Sequence, residues 1–477
     1  MILLFAIIRL ASPFTDGIVL QRECCVPVWG VAEANARVEV AFADQSKTVH
    51  ADSCGHWRVD LDALRASSVP RKLIARCNAE THEIKDILVG EVWICAGQSN
   101  MELPLCGTAH VSPHSEQSMD MGYVEAMTLN DPMVRTCLVP KVWACQPQDI
   151  SEPLVWKRFA PGNQRDFSAI GCHFAMILRS AIGVPVGIVS VAWGGARIEG
   201  FIPPEGFLST KRFKNLAEVE VRPQNDPKQR YPREPYQQPR AIWNGRVHPL
   251  VPMAFRGVLW YQGESNVGEG LSYEELLTGL RSGWMSAFER KQMPIYVVQI
   301  APYHYPWIER LGADFCDIWD GMNNFVRTTP DTALVTTVDI GESRNIHPAH
   351  KRTVALRLAA NALHRLYGRK DIACDSPSLK SAVSDGQGNV TLLFDHVTRW
   401  LMHDTPAAPF ELAGGDGKFH RAQVSYGENG KVFLFVEGIK TPVRVRYMWR
   451  WTERATLANE YGFPLAPFRA LVNSHSP

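Results

Sequence analysis

The fold of this chain can be read outward from Val92-Trp-Ile-Cys-Ala-Gly-Gln-Ser-Asn-Met101. The apolar run Val92–Ala96 is typical of a fully buried strand. It ends at Gly97, which permits a sharp turn, and Ser99 follows directly after the turn. In α/β hydrolases a nucleophilic serine stands just past a buried strand in this way. Met101 occupies the place of the second glycine of a G-x-S-x-G turn, so this tetrapeptide alone fits an ordinary polar loop as well.

Composition sets the class of protein. The chain has 477 residues, of which 45% are hydrophobic and 21% charged, as in ordinary globular proteins. A chain of this length is expected to split into two to four domains. The 50 basic and 49 acidic residues leave a net charge of +1, which argues against nucleic-acid and anionic-membrane partners. No segment approaches the ~20 consecutive apolar residues that span a bilayer.

The cysteines bear on metal sites and on location. There are 11 of them, an odd number, and no C-x-x-C pair, which argues against a zinc ribbon or a redox motif. We therefore expect no metal, and we favour a cytoplasmic location. The apolar stretch 1–8 is short and is followed by Arg9 and Leu10 instead of a small-residue cleavage site. A secreted or periplasmic protein with a clipped leader is the alternative, and the sequence does not indicate an oligomeric state.

Changes in periodicity divide the chain into three regions. Residues 1–90 alternate apolar and polar side chains between turns and are predicted to form an N-terminal β-domain. Residues 91–374 alternate strands with helical stretches, which predicts an α/β domain with a mainly parallel sheet. Two long polar connections, about 103–164 and 201–243, are predicted to be insertions that shape the mouth of a site. Residues 375–477 return to alternation and are predicted to be β-rich.

Polar turns follow the predicted strands of the α/β domain. They are Gly97–Ser99, Gly194-Gly195, Gln262–Asn266 and the loop that contains His347. Ligands of parallel sheets bind beyond the carboxyl ends of the strands, where these turns meet. Together they supply a hydroxyl, backbone N–H groups, an amide side chain and an imidazole, which are the parts of an acyl-transfer enzyme. The pattern predicts Ser99 as the nucleophile and His347 as the general base.

Longer motifs carry a resemblance to a known family. In chain order they are Ile18-Val-Leu-Gln-Arg22, Gly90-Glu-Val-Trp-Ile-Cys-Ala-Gly-Gln-Ser-Asn-Met101, Trp243-Asn-Gly-Arg-Val-His-Pro-Leu250, Trp260-Tyr-Gln-Gly-Glu-Ser-Asn266 and Ile346-His-Pro348. In this order and spacing, the sequence resembles the sialate O-acetylesterase family, a branch of the SGNH (GDSL-like) hydrolases. The resemblance extends along nearly the whole chain.

The resemblance implies a fold and an activity. The fold would be the flavodoxin-like α/β/α three-layer domain of SGNH hydrolases, with β-rich, sandwich-like regions before and after it. The activity would be that of a metal-free, cofactor-free serine esterase that removes O-acetyl groups from carbohydrates, with O-acetylated sialic acid as the main substrate. Ser99 would form an acetyl-serine intermediate, and His347 would be the base. The oxyanion hole would use the Ser99 N–H, Gly194 or Gly195, and Gln262.

One departure concerns the residue that orients the imidazole. Family members usually have an aspartate two or three residues before the histidine, whereas this chain has Asn345 and Arg344. A triad without its acid can lose ~10⁴ in turnover. Asp339 or Glu342 could supply the missing carboxylate, or a backbone carbonyl could hold the ring of His347 in a Ser–His dyad.

Two other functions stay open, of which the missing aspartate supports the first. One is a catalytically impaired hydrolase that acts as a carbohydrate-binding protein. The other is an esterase for acetylated xylan or another plant polysaccharide, which a long exposed cleft would favour.

Overall fold

The protein is a mixed α/β molecule, as the sequence predicts. The structure is a computed structural model that describes residues 8–107, 119–149, 152–223, 234–305, 315–402, 409–450, 455 and 457–474. A mainly parallel sheet lies between β-rich regions that precede and follow it in the chain. The predicted fold class is therefore confirmed.

The N-terminal region consists of antiparallel hairpins that run into one long strand. Its strands are β1 (Arg9–Leu10), β2 (Val19–Gln21), β3 (Val26–Val31), β4 (Arg37–Phe42), β5 (Gln45–His50), β6 (His56–Leu61), β7 (Ser67–Cys77) and β8 (Glu80–Gly97). Strands β1, β3 and β6 form one sheet, while β4, β5 and β7 join β8. Since β8 continues into the central sheet, one strand crosses the boundary that we predict at residue 90. The division into three domains stays a prediction.

The central sheet has the winding of a flavodoxin-like fold. Its further strands are β9 (Asp131–Leu138), β10 (Trp156–Phe159), β11 (Val186–Ser190), β12 (Gly257–Tyr261), β13 (Ile295–Val298) and β14 (Thr332–Val335). The order is β10-β9-β11-β8-β12-β13-β14, and every pair except β10–β9 is parallel. From β11 to β14, with β8 first in the chain, this is the order 2-1-3-4-5, whose binding site lies between the first and third strands. We therefore expect the site between β8 and β12.

Helices cover the sheet. They are α1 (Ser99–Glu102), α2 (Met119–Thr128), α3 (Ala169–Ile182), α4 (Pro204–Leu208), α5 (Ser272–Ala287), α6 (Asp317–Thr328) and α7 (Lys351–Arg365). Helix α3 packs against α7, and α5 packs against α4 and α6. All residues of β11, β12 and β13 are buried, which requires cover on both faces of the sheet and explains their continuous apolar runs.

The stretch 103–164 differs from the predicted insertion. It contributes the helix α2 and the strands β9 and β10, which pair with each other and extend the central sheet. Arg135 and Thr136 are buried within β9 and interrupt its apolar pattern. Because buried polar side chains hide the strand signal, hydropathy alone indicates a loop there. Part of the second predicted insertion, 224–233, lies outside the described residues.

The C-terminal region is β-rich, as predicted. Its strands are β15 (Ser378–Ser384), β16 (Asn389–Asp395), β17 (Leu401–Met402), β18 (Phe410–Ala413), β19 (Phe419–Arg421), β20 (Gln423–Tyr426), β21 (Val432–Phe435), β22 (Arg444–Tyr447), β23 (Leu457–Ala458), β24 (Phe468–Leu471) and β25 (Asn473–Ser474). They form small sheets in the orders β20-β21-β16-β15-β25 and β19-β18-β22-β24, with β17 paired to β23. Alternate burial along β16 explains why its period of two is visible in the sequence.

Candidate active site

Ser99 lies at the carboxyl end of β8 and is the first residue of α1. Gly97 makes the turn at a φ of +131°. A Cβ on Gly97 would lie 2.1 Å from the carbonyl oxygen of Tyr261 on β12, so only glycine allows the two backbones to approach this closely. The half-buried Ser99 is thereby placed at the expected position between β8 and β12.

His347 reaches Ser99 from the loop between β14 and α7. Its Nε2 lies 2.8 Å from the Ser99 Oγ, although 248 residues separate the two in the chain. Burial, followed by the positive charge of Lys351, lowers the pKa of His347 to about 4. The imidazole is therefore neutral at neutral pH, and an unprotonated Nε2 can accept the serine proton. The structure brings together the two residues that the sequence predicts as nucleophile and base.

Neither proposed acid forms a hydrogen bond with this imidazole in the described structure. Asp339 accepts hydrogen bonds from the Arg357 guanidinium on both carboxylate oxygens, at 2.8 and 2.6 Å. Glu342 accepts from the Asn345 amide at 3.4 Å, and the Asn345 Oδ1 accepts from the backbone N–H of His347 at 3.0 Å. No hydrogen bond in the described structure joins His347 to Asp339 or Glu342, so an orienting role for either carboxylate stays a prediction.

The imidazole is also not held by a backbone carbonyl. Within the described part of the chain, the hydrogen bonds of His347 are those of its backbone N–H and of Nε2, and none involves Nδ1. The observed arrangement is therefore a Ser–His pair. The Nδ1 of His347 has no hydrogen-bond acceptor among the residues that the structure describes. A dyad can still transfer a proton between serine and imidazole, but it lacks the charge that stabilises imidazolium.

A buried polar network lies behind the Ser–His pair. The Asn100 amide donates to Glu264 at 2.5 Å and to the carbonyl of Ile346 at 3.0 Å. The Lys351 ammonium donates to the Asn100 Oδ1 and to the carbonyl of Pro348, both at 2.6 Å. Asn100 follows Ser99 in the chain, and Ile346 and Pro348 flank His347, so the network joins the two segments that carry the reactive pair.

Gly194 and Gly195 lie beside Ser99. A Cβ on Gly194 would lie 3.6 Å from the Cβ of Ser99. However, the Gly194 N–H already donates to the Glu102 carboxylate at 2.6 Å. Gly195 has a φ of +74°, and a Cβ there would lie 2.9 Å from the Tyr236 hydroxyl. Of the two predicted glycines, Gly195 has the backbone N–H without an acceptor in the described structure.

The Gln262 side chain already has hydrogen-bond partners within the protein. Its Nε2 donates to the Gln98 Oε1 at 3.1 Å, to the Ala196 carbonyl at 3.0 Å and to the Asn266 Oδ1 at 2.8 Å. Its Oε1 accepts from the Tyr273 hydroxyl at 2.5 Å, and the side chain is fully buried. This side chain connects Gln98, Ala196 and Asn266, and the predicted role of Gln262 in the oxyanion hole stays a prediction.

Four residues near the pair were not singled out from the sequence. Asn100 and Glu264 lie within quoted motifs, but nothing in the motifs shows that the two side chains meet. Glu102 follows Met101 directly and gives no local signal of its contact with Gly194. Lys351 does carry a signal, because it falls one turn before Val354 on the apolar face of α7. A lysine at such a position must be buried with partners or withdrawn from the core.

Other predicted properties concern metals, thiols and membranes. Among the residues that the structure describes, no group of three or more His, Cys, Asp or Glu side chains is arranged to hold a metal ion. The 11 cysteines all lie within the described ranges and are free thiols. A search of the described helices finds none that is long and apolar enough to span a membrane.

Comparison with known proteins gives the family. A family model described as "Carbohydrate esterase, sialic acid-specific acetylesterase" matches residues 89–364, more than half of the chain. The chain belongs to this family. It is a carboxylic ester hydrolase, and the matched range contains Ser99, His347 and the network behind them.

The similarity of the esterase to known relatives covers most of its length. It is 26% identical to the sialate O-acetylesterase of Rattus norvegicus over 77% of this chain and 75% of the rat protein. It is 24% identical to the Mus musculus sialate O-acetylesterase over 98% and 94% of the two chains. A solved carbohydrate acetylesterase from Xanthomonas citri is 31% identical, with a TM-score of 0.83 over 97% of this chain and 99% of that one. The esterase therefore shares its β-rich flanking regions, as well as its central domain, with that protein.

Proposed function

We propose that this esterase removes O-acetyl groups from carbohydrates, with O-acetylated sialic acid as its main substrate and Ser99 as its nucleophile. The contact of 2.8 Å between the Ser99 Oγ and a neutral His347 carries the proposal. Membership of the family supports ester chemistry, and the names of the rat and mouse relatives support sialic acid.

The reaction divides into acylation and deacylation. As the Ser99 Oγ attacks the acetyl carbonyl carbon, the His347 Nε2 takes the hydroxyl proton. The tetrahedral intermediate then breaks its bond to the sugar oxygen, and His347 returns the proton to that oxygen. The products of this half are the free sugar hydroxyl and acetyl-Ser99. Water, activated by His347, attacks the acetyl carbon next and releases acetate and free serine.

Two backbone N–H groups are suited to the oxyanion. Those of Ser99 and Gly195 have no acceptor in the part of the chain that the structure describes. Donors of this kind are typically worth about 3–4 kcal/mol each in the transition state, because they meet charge that develops as the carbonyl is attacked. Gly194 would become a third donor if the Glu102 carboxylate moved away.

A cation near the site favours an acidic sugar. The Lys141 ammonium forms an ion pair with Glu102 and lies 6.0 Å from the centre of the Trp193 ring. About half of the Lys141 side chain is exposed. A half-exposed ammonium suits the carboxylate of sialic acid, whereas a neutral xylan has no group that needs it. An esterase for acetylated xylan is therefore the second candidate. A comparison of the two substrates separates it from an esterase for sialic acid.

The test is acetate release from O-acetylated N-acetylneuraminic acid and from acetylated xylo-oligosaccharides. We expect the wild type to hydrolyse the sialic acid ester faster and Ser99→Ala to lose more than about 10³ in kcat. Ser378→Ala, at an exposed position of β15 in the C-terminal region, is the matched control and should keep wild-type activity. Faster turnover of the xylan ester would identify acetylated xylan, instead of O-acetylated sialic acid, as the main substrate. Binding of either sugar without acetate release would identify a decayed hydrolase.

A further inference from the structure

The first observation is a buried ammonium that contacts both segments of the reactive pair. Lys351, the first residue of α7, is only 2% exposed. Its Nζ lies 2.6 Å from the Pro348 carbonyl and 2.6 Å from the Asn100 Oδ1. Pro348 follows His347, and Asn100 follows Ser99. One charged group therefore connects the loop of the base to the turn of the nucleophile.

The second observation is how this charge is balanced. Glu264 is 5% exposed and meets Lys351 through Asn100 between them, with 2.5 Å from the Asn100 Nδ2 to the Glu264 Oε1. The other Glu264 oxygen is buried without a partner in the described structure. A buried cation without a compensating charge costs several kcal/mol. The side-chain amide of Asn100 keeps Glu264 close to Lys351, although the two do not form a direct ion pair. The ammonium keeps its contact with the carbonyl of Pro348, which follows His347 in the chain.

We propose, on the basis of the proposed function, that Lys351 is the positioning residue of this esterase: its ammonium holds the His347 loop against the Ser99 turn and places a positive charge beside the segment that carries the base. An orienting aspartate in a triad holds the ring by contact and favours the charged imidazole. Lys351 holds the loop by its carbonyl, and its charge acts in the opposite direction. In this chain, a hydrogen bond to the backbone of the His347 loop thus takes the place of an attractive contact with the imidazole ring.

The pH behaviour follows from the groups around Lys351. Glu264 approaches it from the turn after β12, Glu342 and His347 from the loop before α7, and the Tyr261 ring, 5.8 Å from Nζ, from β12. Burial lowers the pKa of Lys351 to about 7, although the charges of Glu264 and Glu342 oppose this. Lys351 is therefore charged throughout the acidic range, where His347 titrates with a pKa of about 4.

The proposal predicts that the acid limb of the pH profile of kcat/KM lies at an unusually low pH. Because the base must be unprotonated, kcat/KM of the wild type should fall only as the pH approaches about 4, the pKa of His347. Lys351→Met keeps length and bulk but removes the charge, so the imidazole should protonate at a higher pH. We expect the midpoint of the acid limb to rise by about one pH unit, which is the lower end of the effect of a close charge. We expect the plateau kcat to fall about tenfold. Lys351→Arg keeps a cation and should leave the midpoint in place.

The experiment combines kinetics with a titration that needs no turnover. The acid limb of kcat/KM is measured for the wild type, Lys351→Met, Lys351→Arg and the control Lys291→Met, an exposed lysine. The His347 ring is titrated by NMR in the wild type and in Lys351→Met, with its signal assigned from His347→Gln. A midpoint that rises in Lys351→Met but not in Lys351→Arg or Lys291→Met supports the proposal.

Two results would overturn it. One is an unchanged His347 midpoint in Lys351→Met, which would make Lys351 an ordinary structural residue. The other needs no folded variant: a wild-type ring that titrates at its ordinary value of about 6.5 would show that neither burial nor the charge of Lys351 disfavours the imidazolium. If the wild type released no acetate while the titration of its ring still moved to higher pH in Lys351→Met, the proposed function would fail, but the action of Lys351 on the His347 segment would be upheld.

Discussion

The Glu102 carboxylate accepts a hydrogen bond of 2.6 Å from the backbone N–H of Gly194, beside the nucleophile Ser99. A predicted oxyanion-hole donor is thus occupied by a negative charge that belongs to the protein itself. An acetyl oxyanion can use this N–H only after the carboxylate has moved away. The pairing of Glu102 with Lys141 gives the carboxylate a second partner to which it can turn.

We therefore predict that Glu102→Ala increases activity on a small neutral ester such as 4-nitrophenyl acetate. A hydrogen bond to a charged group is worth about 1.5–3 kcal/mol, and removing the need to break it should raise kcat/KM by about tenfold. Steady-state kinetics of Glu102→Ala against the exposed control Glu205→Ala measure this. A decrease specific to Glu102→Ala would mean that the carboxylate holds Gly194 in its productive orientation.

A second prediction separates a structural ion pair from an orienting acid. Asp339→Asn leaves Arg357, whose side chain is only 9% exposed, without its carboxylate. Breaking a buried pair costs about 3–5 kcal/mol, so we expect the free energy of unfolding in urea to fall by about 3 kcal/mol, because Asp339 is partly exposed. Plateau kcat should stay within about tenfold of wild type, whereas loss of an orienting acid would cost about 10⁴.

The exposed pair of Asp371 with Arg369 is the matched control for that ion pair. Asp371→Asn should change neither stability nor kcat, since exposed pairs contribute little. A loss of kcat in Asp339→Asn without a loss of stability would return Asp339 to the role of orienting acid.

A third prediction restores the missing charge. The Asn345 Oδ1 accepts from the His347 backbone N–H at 3.0 Å, and an aspartate can keep that bond while adding a carboxylate near the ring. In Asn345→Asp we expect the His347 pKa to rise, because the imidazolium gains a neighbouring negative charge. The acid limb of kcat/KM should therefore move to higher pH, and the plateau kcat should increase. The exposed substitution Asn215→Asp should do neither, and an unmoved limb in Asn345→Asp would contradict the prediction.

A fourth prediction concerns stability and pH. Glu91 is completely buried and accepts from Arg256 at 2.7 and 3.0 Å, from Arg22 at 2.5 Å and from the Tyr367 hydroxyl at 2.9 Å. Burial raises the pKa of Glu91, but the hydrogen bonds and charges of Arg256 and Arg22 outweigh it, so the pKa lies below its usual value. A depressed pKa in the folded state stabilises the protein above the unfolded value of about 4.3, and this stability is lost as the pH falls through the folded value.

Glu91→Gln should therefore lower the free energy of unfolding at neutral pH by about 3–5 kcal/mol and flatten its decline below about pH 5. Urea denaturation at several pH values measures both effects, with the exposed Glu23→Gln as control. An unchanged decline at acidic pH would mean that other carboxylates determine acid unfolding.

The features that can be predicted from the sequence are those that local chemistry controls. The apolar runs of β11, β12 and β13 are strands because only a sheet covered on both faces can bury them, and Gly97 permits the turn at Ser99. The placement of Ser99 and His347 at one sheet edge also follows from the sequence, because the carboxyl ends of parallel strands meet there. Strand β9 was missed because it buries Arg135 and Thr136.

Which long polar side chains meet depends on the packing of distant segments and cannot be predicted from local patterns. Asp339 turned to Arg357, and the Gln262 amide turned inward to Gln98, so neither serves the catalytic pair in the way that the sequence suggested. Lys351 became the group that joins the two reactive segments. Such choices depend on distances of a few ångströms between residues far apart in the chain, and buried polar groups must take whichever partner the packing provides.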